Sequence, residues 1–132
     1  MARIVVCGYM VRHPVAGNLL AYFHYLLGLH RLGHEVFYFE ESGWSGSCYD
    51  PVANTCSDDP EPGLQILQNL MASCNVAIPV CYVNRDSGKV SGVDWLADTQ
   101  REGASGAGVS SWRSRLRGGT HLWPGTPDSR RR

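Results

Sequence analysis

The feature that most constrains this chain is a strand, a helix and a second strand following one another within its first forty residues. Arg3-Ile4-Val5-Val6-Cys7 is a β-branched run without polar alternation that ends at Gly8, the pattern of a strand buried on both faces in a parallel sheet. Over 18–32, Leu19, Tyr22, Phe23, Leu26, Leu27, Leu29 and Leu32 recur at helical spacing, with Asn18 as N-cap and Gly33 just past the end. His30, Arg31 and His34 stand where the helix dipole favours positive charge and the last carbonyls need donors. Glu-Val-Phe-Tyr-Phe-Glu at 35–40 follows at once as a second strand. The order predicts a right-handed βαβ unit, the start of a doubly wound sheet.

Beyond it, 41–62 reads as one long loop carrying Trp44, Tyr49 and several carboxylates; a loop of this length in a compact domain is functional or mobile. Leu64, Ile66, Leu67, Leu70 and Met71 give 63–73 the pattern of a second helix, opened by Pro62 and preceded by Asp58 and Asp59. The apolar stretch 76–83 contains Pro79, which predicts an edge or irregular strand. A turn at 84–88 and a short return strand at 89–95 complete the pattern. The fold class is therefore α/β, an incomplete Rossmann-like parallel sheet. In a doubly wound sheet the first strand has neighbours on both sides. Without the later strands, Ile4, Val5 and Val6 stand at an unpaired apolar edge, which predicts self-association.

The later strands are missing because the chain changes character near Asp98. With 43% apolar and 18% charged residues the whole is a globular composition. The formal net charge of zero, however, is a balance of minus five in 1–98 and plus five in 99–132. In the last 34 residues Arg, Gly and Ser fill 18 positions, and Val109, Leu116 and Leu122 are the only branched aliphatics, too few for a core. The division is thus a partial N-terminal domain over 1–98 and a disordered basic tail over 99–132. Eleven of the twelve basic residues of the Lys+Arg class are Arg, and Gly, Ala and Pro are plentiful, as in a gene rich in G and C. Out-of-frame reading of such a gene gives aperiodic Arg, Gly, Ser, Pro, Ala and Trp, which is the composition of 99–132.

Several classes are excluded. The longest apolar run, 19–29, is interrupted by His24 and is about half of the ~20 residues a membrane span needs. Arg12 and His13 follow the first apolar run with no small-x-small cleavage site, so the start is not a signal peptide and the chain reads as cytoplasmic. Five cysteines with spacings that fit neither a zinc knuckle nor a C-x-x-C pair read as free thiols in a reducing compartment, with no metal site.

In open parallel sheets, chemistry sits beyond the carboxyl ends of the strands, so the loops after Cys7 and Glu40 are the places to look. The first loop lacks the G-x-G-x-x-G spacing: Gly8 and Gly17 are nine apart, and Tyr9, Met10 and Val11 fill the places where a pyrophosphate needs bare backbone. No dinucleotide or other cofactor is expected. The loop delivers Arg12 and His13, and the helix start at Gly17 and Asn18 offers free amides to an anion. His13 is suited to general-base work near neutrality; its bland alternative is a histidine bonded within a polar loop. Glu40 closes the second strand 23 residues after Gly17, near where a carboxylate can hold a ribose hydroxyl. Glu41, Trp44, Tyr49 and Asp50 extend the rim with aromatic faces and carboxylates, a mixture that suits sugar rings and is also ordinary in an exposed loop.

The stretch from Arg3 to Gly8, Gly17-Asn18, and the helix ending Leu29-His30-Arg31-Leu32-Gly33-His34-Glu35-Val36 resemble the opening of a B-type glycosyltransferase. In that superfamily a strand, a glycine-bearing loop and a helix ending in Gly-His-Glu-Val before a second strand recur. The resemblance runs from Ala2 to about Asp94, most firmly to Trp44. It implies two Rossmann-like halves, the first shaping the acceptor site and the second holding the sugar nucleotide. This chain would supply part of the first half, inactive alone, with an acceptor of carbohydrate or lipid-linked type. His13 is the residue that could match the acceptor-activating histidine of several such families, and Gly17, Asn18 and Glu40 would line the substrate.

A different class competes with this one. Trp112-Arg113-Ser114-Arg115-Leu116-Arg117 and the terminal Arg130-Arg131-Arg132 could make a small nucleotide- or nucleic-acid-binding module through phosphate contacts and base stacking. The acidic body and the glycine dilution of the tail argue against nucleic acid. Because the tail lacks apolar periodicity, deleting 99–132 should leave the thermal midpoint and helix content unchanged by circular dichroism. A drop of several degrees would show that the tail packs.

Overall fold

The computed structural model describes residues 1–93. The tail expected over 99–132, its nucleic-acid alternative and the end of the predicted 89–95 strand lie outside the described residues. In chain order the elements are β1 (Arg3–Cys7), α1 (Ala16–Arg31), β2 (Glu35–Glu41), β3 (Cys48–Asp50), β4 (Thr55–Ser57), α2 (Glu61–Ser73), β5 (Val80–Val83) and β6 (Val90–Gly92). β1, β2, β5 and β6 form a four-stranded sheet in that order, and β3 pairs with β4 in a separate hairpin. β1, β2 and β5 are parallel, while β6 returns antiparallel to β5. The fold is mixed α/β with a mostly parallel sheet.

Both parallel crossovers advance across the sheet in one direction, and right-handed crossovers then place α1 and α2 on the same face. One cluster accordingly joins Leu19, Phe23 and Leu26 of α1 to Leu64, Leu67 and Met71 of α2 over Val36, Tyr38, Val80 and Tyr82 of the sheet. Phe37, Phe39 and Cys81 alternate with these on the opposite face. α1 ends where Gly33 enters the left-handed region at φ +85°, and the Glu35 amide then donates to the Ala2 carbonyl at 3.0 Å to open the β1–β2 ladder.

Four expectations change. β1 is not buried on both faces: its residues alternate between exposed and half-buried, and Val5 is 46% exposed. The reason is that β2 is its one strand partner among the described residues, with both helices on one side. α1 starts at Ala16 with Val15 as N-cap, so Asn18 lies inside the first turn. An N-cap accepts through its side-chain oxygen; Asn18 instead donates Nδ2 to the carbonyls of Tyr9 and His13, the latter at 2.9 Å. The 41–62 loop contains the β3–β4 hairpin, whose turn is held by Asp50 Oδ1 accepting from the Val52 and Ala53 amides at 2.9 and 3.2 Å. Finally, β5 is an interior strand: Pro79 precedes it, so the missing N–H falls before the ladder, and the Pro79 carbonyl still accepts from Tyr38 at 2.9 Å. The turn predicted at 84–88 is present, with Asn84 Oδ1 accepting from the Asp86 and Ser87 amides at 3.0 Å.

Two helical glycines have opposite surroundings. A Cβ on Gly63 of α2 would lie 1.9 Å from the Val11 carbonyl oxygen, whereas one on Gly28 of α1 would meet nothing within 4 Å. Gly63→Ala should therefore destabilise by about 1–3 kcal/mol through forced displacement of the loop backbone. Gly28→Ala should stabilise by roughly 0.5–1 kcal/mol through helix propensity alone. Urea melts of the two variants test the difference in sign.

Candidate functional site

At the carboxyl ends of β1 and β2 the chain turns inward before it turns out. Met10 and Val11 are fully buried, an unusual place for loop backbone because each buried amide needs an acceptor. Tyr38 and Glu40, two apart on β2 and so on the same side of the sheet, supply the acceptors. The Tyr38 hydroxyl accepts from the Met10 amide at 3.0 Å and donates to Glu40 Oε2 at 2.6 Å. Glu40 Oε2 also accepts from the Val11 amide at 2.8 Å, and Oε1 accepts from the Arg12 amide at 2.8 Å and from Arg12 Nε at 3.2 Å. Three successive backbone N–H groups are thus held by β2. The next carbonyl, of Arg12, accepts from the Tyr49 amide of β3 at 2.7 Å.

Burial pushes the Tyr38 phenol well above its ordinary range, and the Glu40 charge and its hydrogen bond push the same way. A second buried pair lies below: Cys48 Sγ is 3.2 Å from the Tyr82 hydroxyl. Burial raises both groups, with the hydrogen bond raising Tyr82 further and partly lowering Cys48.

Above this anchored backbone stands a group of rings. The Arg12 guanidinium lies over the Tyr9 ring, 4.2 Å from its centroid, and 5.9 Å from that of Trp44. The His13 ring contacts both Tyr9 and Tyr49, with centroids 5.9 and 5.3 Å away. Trp44 is 61% exposed, on a loop tied down by Asp58, whose carboxylate accepts from the Gly46 amide at 2.6 Å and the Ser45 hydroxyl at 3.3 Å. The result is an aromatic surface with one imidazole and one guanidinium at the strand ends, where α/β sheets place ligands.

The four residues singled out in the sequence have different fates. His13 is exposed and joins the aromatic group. Gly17 is exposed in the first turn of α1, and Asn18 fastens loop carbonyls. Glu40 faces inward: its side chain has no exposed surface and its two oxygens already take four donors. A ribose hydroxyl could reach it only by displacing one of them. Tyr9 and Tyr38 were not anticipated; the Tyr-x-Glu alternation at the end of β2 was the available signal for an inward-facing polar pair.

No protein-family model matches the chain, and no curated protein or solved structure matches it either. Among the described residues no helix is long and apolar enough to cross a membrane, and no three His, Cys, Asp or Glu side chains are grouped to hold a metal ion. None of the five cysteines forms a disulfide among the described residues.

The buried phenols make stability fall in alkali. Unfolded Tyr38 and Tyr82 ionise near pH 10, whereas the folded phenols hold their protons to higher pH. The stabilisation is complete below about pH 10 and is lost as pH rises from there, by about 1.4 kcal/mol per pH unit for each phenol. Urea melts between pH 9 and 11.5 should show this slope, reduced by one phenol's share in Tyr38→Phe. An unchanged slope in that variant would mean that Tyr38 ionises in the folded state.

Proposed function

We propose that this chain forms the acceptor side of a sugar-transfer cleft, a partial Rossmann-like half of a B-type glycosyltransferase-like protein that is inactive without a donor-binding half. The observation that carries the reading is the His13 ring in contact with Tyr9 and Tyr49, next in the chain to an Arg12 guanidinium that lies near Trp44, at the ends of the parallel strands. Sugar rings pack on aromatic faces through their C–H surfaces, and an imidazole at such a surface can take the proton of an acceptor hydroxyl as its oxygen bonds to the anomeric carbon of the donor sugar and the bond from that carbon to the nucleotide's phosphate oxygen breaks. In this reading Glu40 and Asn18 are positioning residues. They fix the backbone on either side of His13 and do not touch the acceptor.

The strand–helix–strand order, the loop after the first strand and the Gly33-His34-Glu35-Val36 turn support the same family resemblance. The absence of a glycine fingerprint fits a half that binds acceptor and leaves the nucleotide to its counterpart. Gly17, exposed at the start of α1, leaves room for substrate beside the loop.

The test on this chain is saccharide binding, followed by chemical shifts of the Trp44 indole and the His13 ring. A panel of neutral and acidic monosaccharides should shift both signals, and Trp44→Ala should weaken binding about three- to tenfold, the size of one aromatic contact. In a protein joining this half to a donor-binding half, His13→Ala should lower turnover by roughly 10²–10⁴ with donor KM unchanged. No shift with any saccharide would overturn the acceptor reading; unchanged turnover would remove His13 from the chemistry.

A further inference from the structure

Arg12 is more fully built into the site than its position in a loop requires. Its side chain is only 13% exposed, yet of its five guanidinium N–H groups one, on Nε, has an acceptor among the described residues. The partner oxygen of Glu40 also holds the Arg12 backbone amide, so side chain and main chain are anchored to the same atom. The guanidinium carbon lies over the Tyr9 ring, 4.2 Å from its centroid, and 5.9 Å from that of Trp44. The Nη atoms have no acceptor among the described residues and are not among the buried polar atoms there, so they reach the surface. Gly43 passes so close that a Cβ there would lie 2.7 Å from Nη1. The fork is therefore fixed at its base, oriented by rings and open at its tip.

We propose that the Arg12 fork and the Trp44 ring together form a subsite for a sugar that carries an oxyanion, either a uronate carboxylate or a sugar phosphate. This rests on the acceptor reading and narrows it to an acidic acceptor. A guanidinium held over a ring with unpaired Nη–H groups matches the two oxygens of a carboxylate or phosphate. A neutral sugar offers hydroxyls that bind such a fork singly and without charge. Glu40 offsets part of the Arg12 charge, but it bonds only Nε of the guanidinium and leaves the paired Nη donors to a ligand. Trp44 provides the exposed face on which the ring of the same molecule can lie.

The experiment titrates the full chain with glucuronate, glucose 6-phosphate, inorganic phosphate and glucose, following the Trp44 indole and Arg12 Nε signals by NMR. At least one of the two acidic sugars should bind ten or more times tighter than glucose and than inorganic phosphate. Which of the two does so distinguishes carboxylate from phosphate. Arg12→Lys, which keeps the charge and loses the fork, should bring that sugar to within about threefold of glucose. Gly43→Ala serves as a second variant. It leaves Arg12 in place chemically but pushes its tip aside, and it should weaken the acidic sugar about tenfold while glucose binding stays unchanged. Equal affinity for acidic and neutral sugars, with Trp44→Ala weakening both, would overturn the acidic subsite and leave the acceptor reading standing. Inorganic phosphate binding as tightly as glucose 6-phosphate would overturn the joint role of Trp44. Binding of none of the four ligands would overturn both.

Discussion

The Glu40 carboxylate, with no exposed surface and four donors converging on it, is the interaction on which the site depends. Burying a carboxylate is costly unless charge and hydrogen bonds compensate it, and here the Arg12 guanidinium, two backbone amides and the Tyr38 phenol do so together. In exchange, the backbone of Met10, Val11 and Arg12 is drawn into the top of the core, where loop amides would otherwise be unsatisfied. The side chains that follow, His13 above all, inherit a fixed starting point. Removing the carboxylate would leave three buried donors and a half-buried cation without an acceptor, so the arrangement forms as a unit or not at all.

Other contacts reinforce that unit from separate parts of the chain. β3 contributes the Tyr49 amide to the Arg12 carbonyl and its ring to His13. α2 contributes the absence of a side chain at Gly63, which lets the helix press against the Val11 carbonyl. α1 contributes Asn18, whose amide fastens the carbonyls of Tyr9 and His13. The eight-residue loop between β1 and α1 is thus fixed by β2, the hairpin and both helices, and the core cluster that joins both helices to the sheet keeps these elements in register.

Much of this frame was legible in the residues. The uninterrupted apolar run of β1, the helical period through Leu29 and the immediate return of Val-Phe-Tyr-Phe are local patterns, and local patterns set element type. What escaped was long-range. Asn18 beside a helix start satisfies every local rule for a cap, but two loop carbonyls nine and five residues back compete for its amide and win. Pro79 argued against an interior strand until its place one residue before the ladder was known. The three-residue strands of the hairpin are too short to show alternation. Glu40 was read as a substrate group from its spacing, 23 residues after Gly17, which says nothing of the side chain's direction; the depth of Met10 and Val11 shows that its carboxylate faces inward. The direction in which each side chain works was not written locally.

The buried amides of the first loop, those of Met10, Val11 and Arg12, end on Tyr38 and Glu40, side chains of a strand, and its one internal backbone bond, from the Val15 amide to the His13 carbonyl at 2.8 Å, comes after them. A loop folded by its own turn chemistry changes shape when its residues change. One folded by an external template does not. The side chains at Tyr9, His13 and Trp44 stand on a scaffold whose determinants lie elsewhere in the chain, so substitutions among them can alter what is recognised while the main-chain path persists. Such a separation of shape from selectivity lets a site diverge to new ligands by a few surface exchanges, each tolerated by the fold.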